Sequence, residues 1–180
     1  IARLAPQFPI ALKPGAADTI EARRLLRAAE RAAALRIPGV VQIRETGMTA
    51  PASGPPRPYL VMDVLTAPTL ERMLLEGGSS RGVLLQILEE AARVLAAAAA
   101  EGLPHGGIKA SNIFAGRTDR VLVADFGLAR PPHPPSDVDP SALHRLGGLA
   151  PEQIECRAWH LEQADVFALG ALLYEILCGR

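Results

Sequence analysis

An α+β chain in two lobes is the fold class this sequence predicts, on three observations. Short apolar runs bounded by Pro and Gly surround one helical stretch in the first third, whereas 3.6-residue periodicity dominates the rest. A hydrophobic content of 49% over 180 residues is ample for a core. The strand-rich part ends near Leu65–Pro68, which divides the chain into a lobe at 1–65 and a helical lobe at 66–180. Ile1 starts inside apparent structure and Arg180 follows an apolar helix, so a fold truncated at both ends is expected.

Each element has its own signal. Ile10-Ala11-Leu12-Lys13 reads as the end of a strand. Asp18-Thr19-Ile20-Glu21 fits a capping box, and its helix should run to about Leu35, stopped by Ile37-Pro38-Gly39. Val40–Arg44 and Tyr59–Val64 read as strands around a Pro/Ser/Gly-rich loop. Thr69–Leu75 is a short helix and Gly77-Gly78-Ser79-Ser80 a break. Leu84, Leu88, Ala91, Leu95 and Ala98 then recur at helical spacing up to a stop at Gly102. Short strands at Ile113-Phe114 and Val121–Ala124 precede a Pro-rich loop at Pro131–Pro140, and Leu169, Leu172, Leu173 and Ile176 mark a last helix from near Asp165.

Composition narrows the function. Nineteen basic and nineteen acidic residues cancel, leaving no footprint for nucleic acid or an anionic membrane. Cys156 and Cys178 have no metal spacing and form no disulfide framework, as expected of cytosolic thiols. No apolar run is long enough to span a bilayer and no signal peptide is visible, so no membrane contact is expected from this segment. A tether outside it would leave the domain on the cytoplasmic side.

The chemistry concentrates in His105-Gly106-Gly107-Ile108-Lys109-Ala110-Ser111-Asn112 and, twelve residues on, Ala124-Asp125-Phe126-Gly127. A lone Lys-x-x-Asn is noise, but its spacing to Asp-Phe-Gly is specific. Ala150-Pro151-Glu152 and Asp165-Val166-Phe167-Ala168-Leu169-Gly170 follow in the same frame. Together these segments resemble the catalytic-loop, D-F-G and A-P-E elements of protein kinases, and nearly the whole chain from Lys13 is similar to bacterial serine/threonine kinase domains of the actinobacterial receptor-kinase type.

The resemblance implies a bilobal kinase-like fold and assigns roles by position. Lys13 would contact the α and β phosphates of ATP, and Lys109 the γ-phosphate. Met62 would be the gatekeeper, with the backbone of Asp63 to Leu65 meeting the adenine. Asn112 and Asp125 would bind Mg²⁺, and His105 would pack beneath the loop. By itself, Tyr59–Leu65 is equally an edge strand with no ligand.

The departures are as telling. Gly107 stands where the frame places the catalytic Asp, and glycine cannot accept a proton. Gly106 replaces the Arg that pairs with an activation-loop phosphate, and two adjacent glycines should loosen the loop. The helix glutamate that pairs with the lysine belongs ten residues before Pro38, where Ala28 stands. Glu30 is about 200° around the helix from that place, and Glu21 about 10 Å along it. His144-Arg145-Leu146-Gly147-Gly148 replaces the substrate-docking G-T-x-x-Y. A pseudokinase follows: a domain binding ATP and Mg²⁺ weakly, or scaffolding, with no catalytic residue at Gly107. The alternative is an active or weakly active kinase with a non-standard loop. A protein partner is implied, either an active kinase or a phospho-binding domain reading Ser136 or Ser141.

Overall fold

The computed structural model describes residues 10–14, 19–49, 56–116, 120–126, 148–154 and 161–179. The chain divides into two compact units, Ile1–Arg36 with Val41–Thr66, and Ile37–Val40 with Ala67–Arg180. The architecture is α+β.

In the first unit, strands β1 (Ile10–Pro14), β2 (Ile43–Met48) and β3 (Pro58–Asp63) form an antiparallel sheet in the order β1-β3-β2. The strand expected within Tyr59–Leu65 is β3, which ends at Asp63 and is central rather than an edge. Its Leu60 and Val61 are buried, which suits an apolar run with partners on both sides. Helix α1 (Thr19–Ala34) packs beside this sheet and buries Ala29 and Ala32. The Gln42 side-chain amide donates to Ala33 O at 3.1 Å, satisfying a carbonyl of the last turn that has no helical partner. Asp18, the expected cap of α1, lies outside the described residues.

The strand expected at Val40–Arg44 begins instead at Ile43. Val40 makes an isolated parallel bridge to Val123, and Gly39 O accepts Val123 N at 2.7 Å. A Cβ on Gly39, at φ +87°, would fall 2.3 Å from Val94, so only glycine fits this crossing. Close packing there claims the residues that local propensity would have given to the strand.

The second unit is built on α3 (Arg81–Ala100) and α5 (Leu161–Cys178), which pack together. Leu84, Ile87, Leu88, Ala91, Val94, Leu95 and Ala98 form the buried stripe of α3. Ala164, Ala168, Leu172 and Ile176, four residues apart, form that of α5. Thr69 caps α2 (Leu70–Glu76) by accepting Arg72 N at 3.1 Å, and Ser80 caps α3 by accepting Val83 N at 3.3 Å. The expected break at Gly77–Ser80 thus doubles as a helix start. A two-stranded sheet of β4 (Ile113–Ala115) and β5 (Val121–Val123) and the single-turn helix α4 (Pro151–Ile154) complete the described part.

Helix α5 begins four residues before the expected Asp165. That aspartate is not a cap. It sits in the second turn and sends its carboxylate to another segment.

Candidate functional site

The loop after α3 is set by how that helix ends. Leu103 N donates to Ala98 O at 2.9 Å and Gly102 N to Ala99 O at 2.8 Å, with Gly102 at φ +70°. This double closure around a left-handed glycine reverses the chain and buries Leu103. His105 follows, 2% exposed, with Nε2 2.9 Å from Ala124 O and its ring 4.9 Å from that of Phe126. The imidazole thus ties the loop to the residue before Asp125.

Asp165 holds the next two peptides. Its Oδ2 accepts His105 N and its Oδ1 accepts Gly106 N, both at 2.8 Å. Burial pushes this carboxyl up to about 6, against the opposing pull of the two amides. On the other side of Gly106, its carbonyl accepts Gln153 Nε2 at 3.0 Å. The freedom expected of a glycine pair is not what the structure places here: Gly106 is buried and bonded at both N and O. It lies at φ +77°, where a Cβ would come 2.9 Å from Leu161. Gly107, at the base position, offers no side chain at all.

Beyond it, Ile108 is buried, Lys109 is exposed and Ala110–Asn112 make one 3₁₀ turn closed by Asn112 N to Lys109 O at 2.9 Å. The turn delivers Asn112 to the end of the β4–β5 pair, where Asn112 O accepts Ala124 N at 3.0 Å. Asn112 Nδ2 then donates to Asp125 Oδ2 at 2.8 Å. Because a carboxylate only accepts, this contact fixes the amide so that its Oδ1 points elsewhere. That oxygen is buried and has no hydrogen-bond partner. Asp125 has φ +71°, the only non-glycine residue with positive φ among those described. The Asp125 carboxylate, and an amide oxygen that has no hydrogen-bond partner on the residue bonded to it, are oxygen donors of the kind a hard cation takes. No cluster of three His, Cys, Asp or Glu exists among the described residues. Two protein oxygens suit Mg²⁺, which commonly takes one or two carboxylates together with phosphate oxygens and water.

The candidate nucleotide residues of the first unit are arranged as follows. Lys13 lies in β1 opposite Leu60; its side chain is outside the description. Met62 and Asp63 close β3, and Leu65 follows, half-buried. A bulge between Ile43 and Glu45 re-aims Arg44, which grips both carboxylate oxygens of Asp63 at 2.9 Å. Ala28 is half-buried and Glu30 exposed. Gly127, Ser136, Ser141, His144, Arg145 and Gly147 lie outside the described residues.

Sequence reading missed Gln153, Arg44 and the use made of Asp165. For Gln153 a signal exists: a Gln two residues after a proline in A-P-x-Q occupies the third position of a helix that starts on Pro.

The protein kinase domain profile matches residues 10–180. The chain belongs to that family. It is 33% identical over 160 residues to serine/threonine-protein kinase PknB of Mycobacterium leprae (strain TN), an alignment covering 87% of this chain and 25% of that protein. It is 32% identical over 175 residues to serine/threonine-protein kinase PkaA of Streptomyces coelicolor (strain ATCC BAA-471 / A3(2) / M145), covering 92% of this chain and 30% of that one. A leucine-rich repeat receptor-like protein kinase, PXC1 of Arabidopsis thaliana, is 43% identical over 82 residues, 43% of this chain and 11% of its own length. The chain thus spans about a quarter of the length of its bacterial relatives. Among the described residues no helix is long and apolar enough to cross a membrane.

Proposed function

We propose that this kinase domain is a pseudokinase: it holds a nucleotide and Mg²⁺ weakly, or serves as a scaffold, and does not transfer phosphate to protein. The observation that carries the reading is Gly107 at the base position. Phosphoryl transfer is catalysed by positioning and electrostatics, with a group that orients or accepts the proton of the acceptor hydroxyl. Losing such a base costs about 10²–10⁴-fold. Ala28 and the altered docking segment at 144–148 add two further defects in separate parts of the same mechanism.

The binding half of the reading rests on other atoms. Asn112 and Asp125 would hold Mg²⁺, Lys109 and Lys13 would contact phosphates, and Met62, Asp63 and Leu65 would border the base. Mg²⁺ supplies charge neutralisation between phosphates. Asn112 and Asp125 are held side by side by the 2.8 Å bond between them. The same pair favours the second reading, a weakly active kinase in which water takes the place of the base.

Function through a protein partner follows from a scaffold kept without its reaction. An active kinase acting on Ser136 or Ser141 would supply a doubly charged phosphate for a phospho-binding domain. The domain is placed on the cytoplasmic side, with any tether in segments outside this chain. Transfer of labelled γ-phosphate to a generic protein substrate, alongside thermal shift by ATP with and without Mg²⁺, separates the cases. A pseudokinase gives no transfer, with a shift where it holds nucleotide and none where it only scaffolds, and turnover of about 1–100 s⁻¹ overturns it.

A further inference from the structure

Gln153 does two jobs with one amide. Ala150 occupies the N-cap position of α4, Pro151 is the first helical residue and Gln153 the third. Gln153 Oε1 accepts Ala150 N at 3.0 Å, the backward half of a capping box. Glutamate would serve that bond equally well, since only an acceptor is needed. The other half of the amide distinguishes the two: Nε2 donates to Gly106 O at 3.0 Å, 47 residues away in sequence. Gln153 is only 3% exposed, so neither bond is shared with solvent.

Gly106 needs such a partner. Two successive glycines lose the most backbone entropy on ordering, and the first of them lies in the left-handed region. Asp165 secures the amide side of that peptide unit and Gln153 the carbonyl side. Leu161 closes over the place a side chain would take.

We propose that Gln153 is a positioning residue: it clamps the Gly106 carbonyl to the cap of α4 and, with Asp165, holds the glycine pair in the single conformation that carries the chain on to Lys109 and Asn112. No side chain at position 106 or 107 is then required to order the loop. The bracing comes from main-chain bonds made by residues outside it. The clamp stands on this geometry whether or not nucleotide binds.

Amide exchange, resolved by NMR on the whole chain, tests it with two variants. Gln153→Met, similar in volume and without polar atoms, is expected to speed exchange at Ala150, His105 and Gly106 by roughly 3–10-fold, the worth of one hydrogen bond. Gln153→Glu keeps the acceptor for Ala150 and, once ionised, has no donor for Gly106. Because a buried carboxyl resists ionisation and its protonated form would still donate, the exchange is read at a pH where the carboxyl ¹³C shift shows the introduced side chain to be charged. Ala150 is then expected to stay protected while His105 and Gly106 exchange faster by the same factor. If those two amides exchange in Gln153→Glu as in the natural chain, Gln153 only caps α4 and the proposal is overturned. Should Gln153→Met not fold, the Glu variant alone decides.

Discussion

The two ends of one eight-residue loop have fared differently. At Asn112 the chain keeps a buried amide bonded to Asp125 and an acceptor oxygen with no protein partner. At Gly106-Gly107 it has no side chains, yet Gly106 is bonded through its main chain at both ends. One end therefore still offers ligands, while the other offers only shape. The path of the loop is thus fixed from outside it, by Asp165 and Gln153.

The largest effect expected from this contrast is on turnover. The natural chain should transfer phosphate to protein at least 10²-fold more slowly than an ordinary kinase. Gly107→Asp should restore only part of that, because Ala28 and the segment 144–148 remain altered. Full recovery in a labelled-phosphate assay would show that the whole difference between the two ends lies in one residue.

Next comes the support of the glycine end. Asp165→Asn leaves one of two buried backbone amides facing an NH₂ group, at an expected cost of about 1–3 kcal/mol in urea unfolding. The pH dependence has a definite sign. The native carboxyl titrates at about 6, against 3.8 in an unfolded chain, so the folded state keeps its proton longer. This group therefore favours folding most below pH 3.8, and its contribution is lost as pH rises through about 6. Asp165→Asn should flatten stability over that window. An unchanged profile would remove Asp165 as its source.

Gly106→Ala is a smaller perturbation. The left-handed backbone costs a residue with a Cβ roughly 1–2 kcal/mol, and the contact with Leu161 adds to it. Leu161→Ala in the same chain should relieve the contact and leave the backbone part. Additivity in that double-mutant cycle would mean that Leu161 does not fill the place of the missing side chain.

The smallest effect is expected at the other end, because the nucleotide binding proposed above is weak. Asp125→Ala should abolish the Mg²⁺-dependent part of the ATP thermal shift and spare the Mg²⁺-independent part. Equal loss of both parts would place the cation elsewhere.

The linear order of residues was enough for the α+β class, for the helix stop at Gly102, and for the frame linking His105, Lys109, Asn112 and Asp125. Each rests on local chemistry: a left-handed glycine, a 3.6-residue period, or a fixed count between polar residues. It was also enough to see that Gly107 cannot accept a proton, because that is a property of one residue. Tertiary structure alone decided the rest. Val40 left its expected strand for a bridge to Val123, and Asp165, which looks like a helix start, became the anchor of two amides 59 and 60 residues away. Gln153 reached across 47 residues to a carbonyl. Such bonds join groups distant in sequence, and a buried N–H or C=O takes whichever partner the packed chain brings to it.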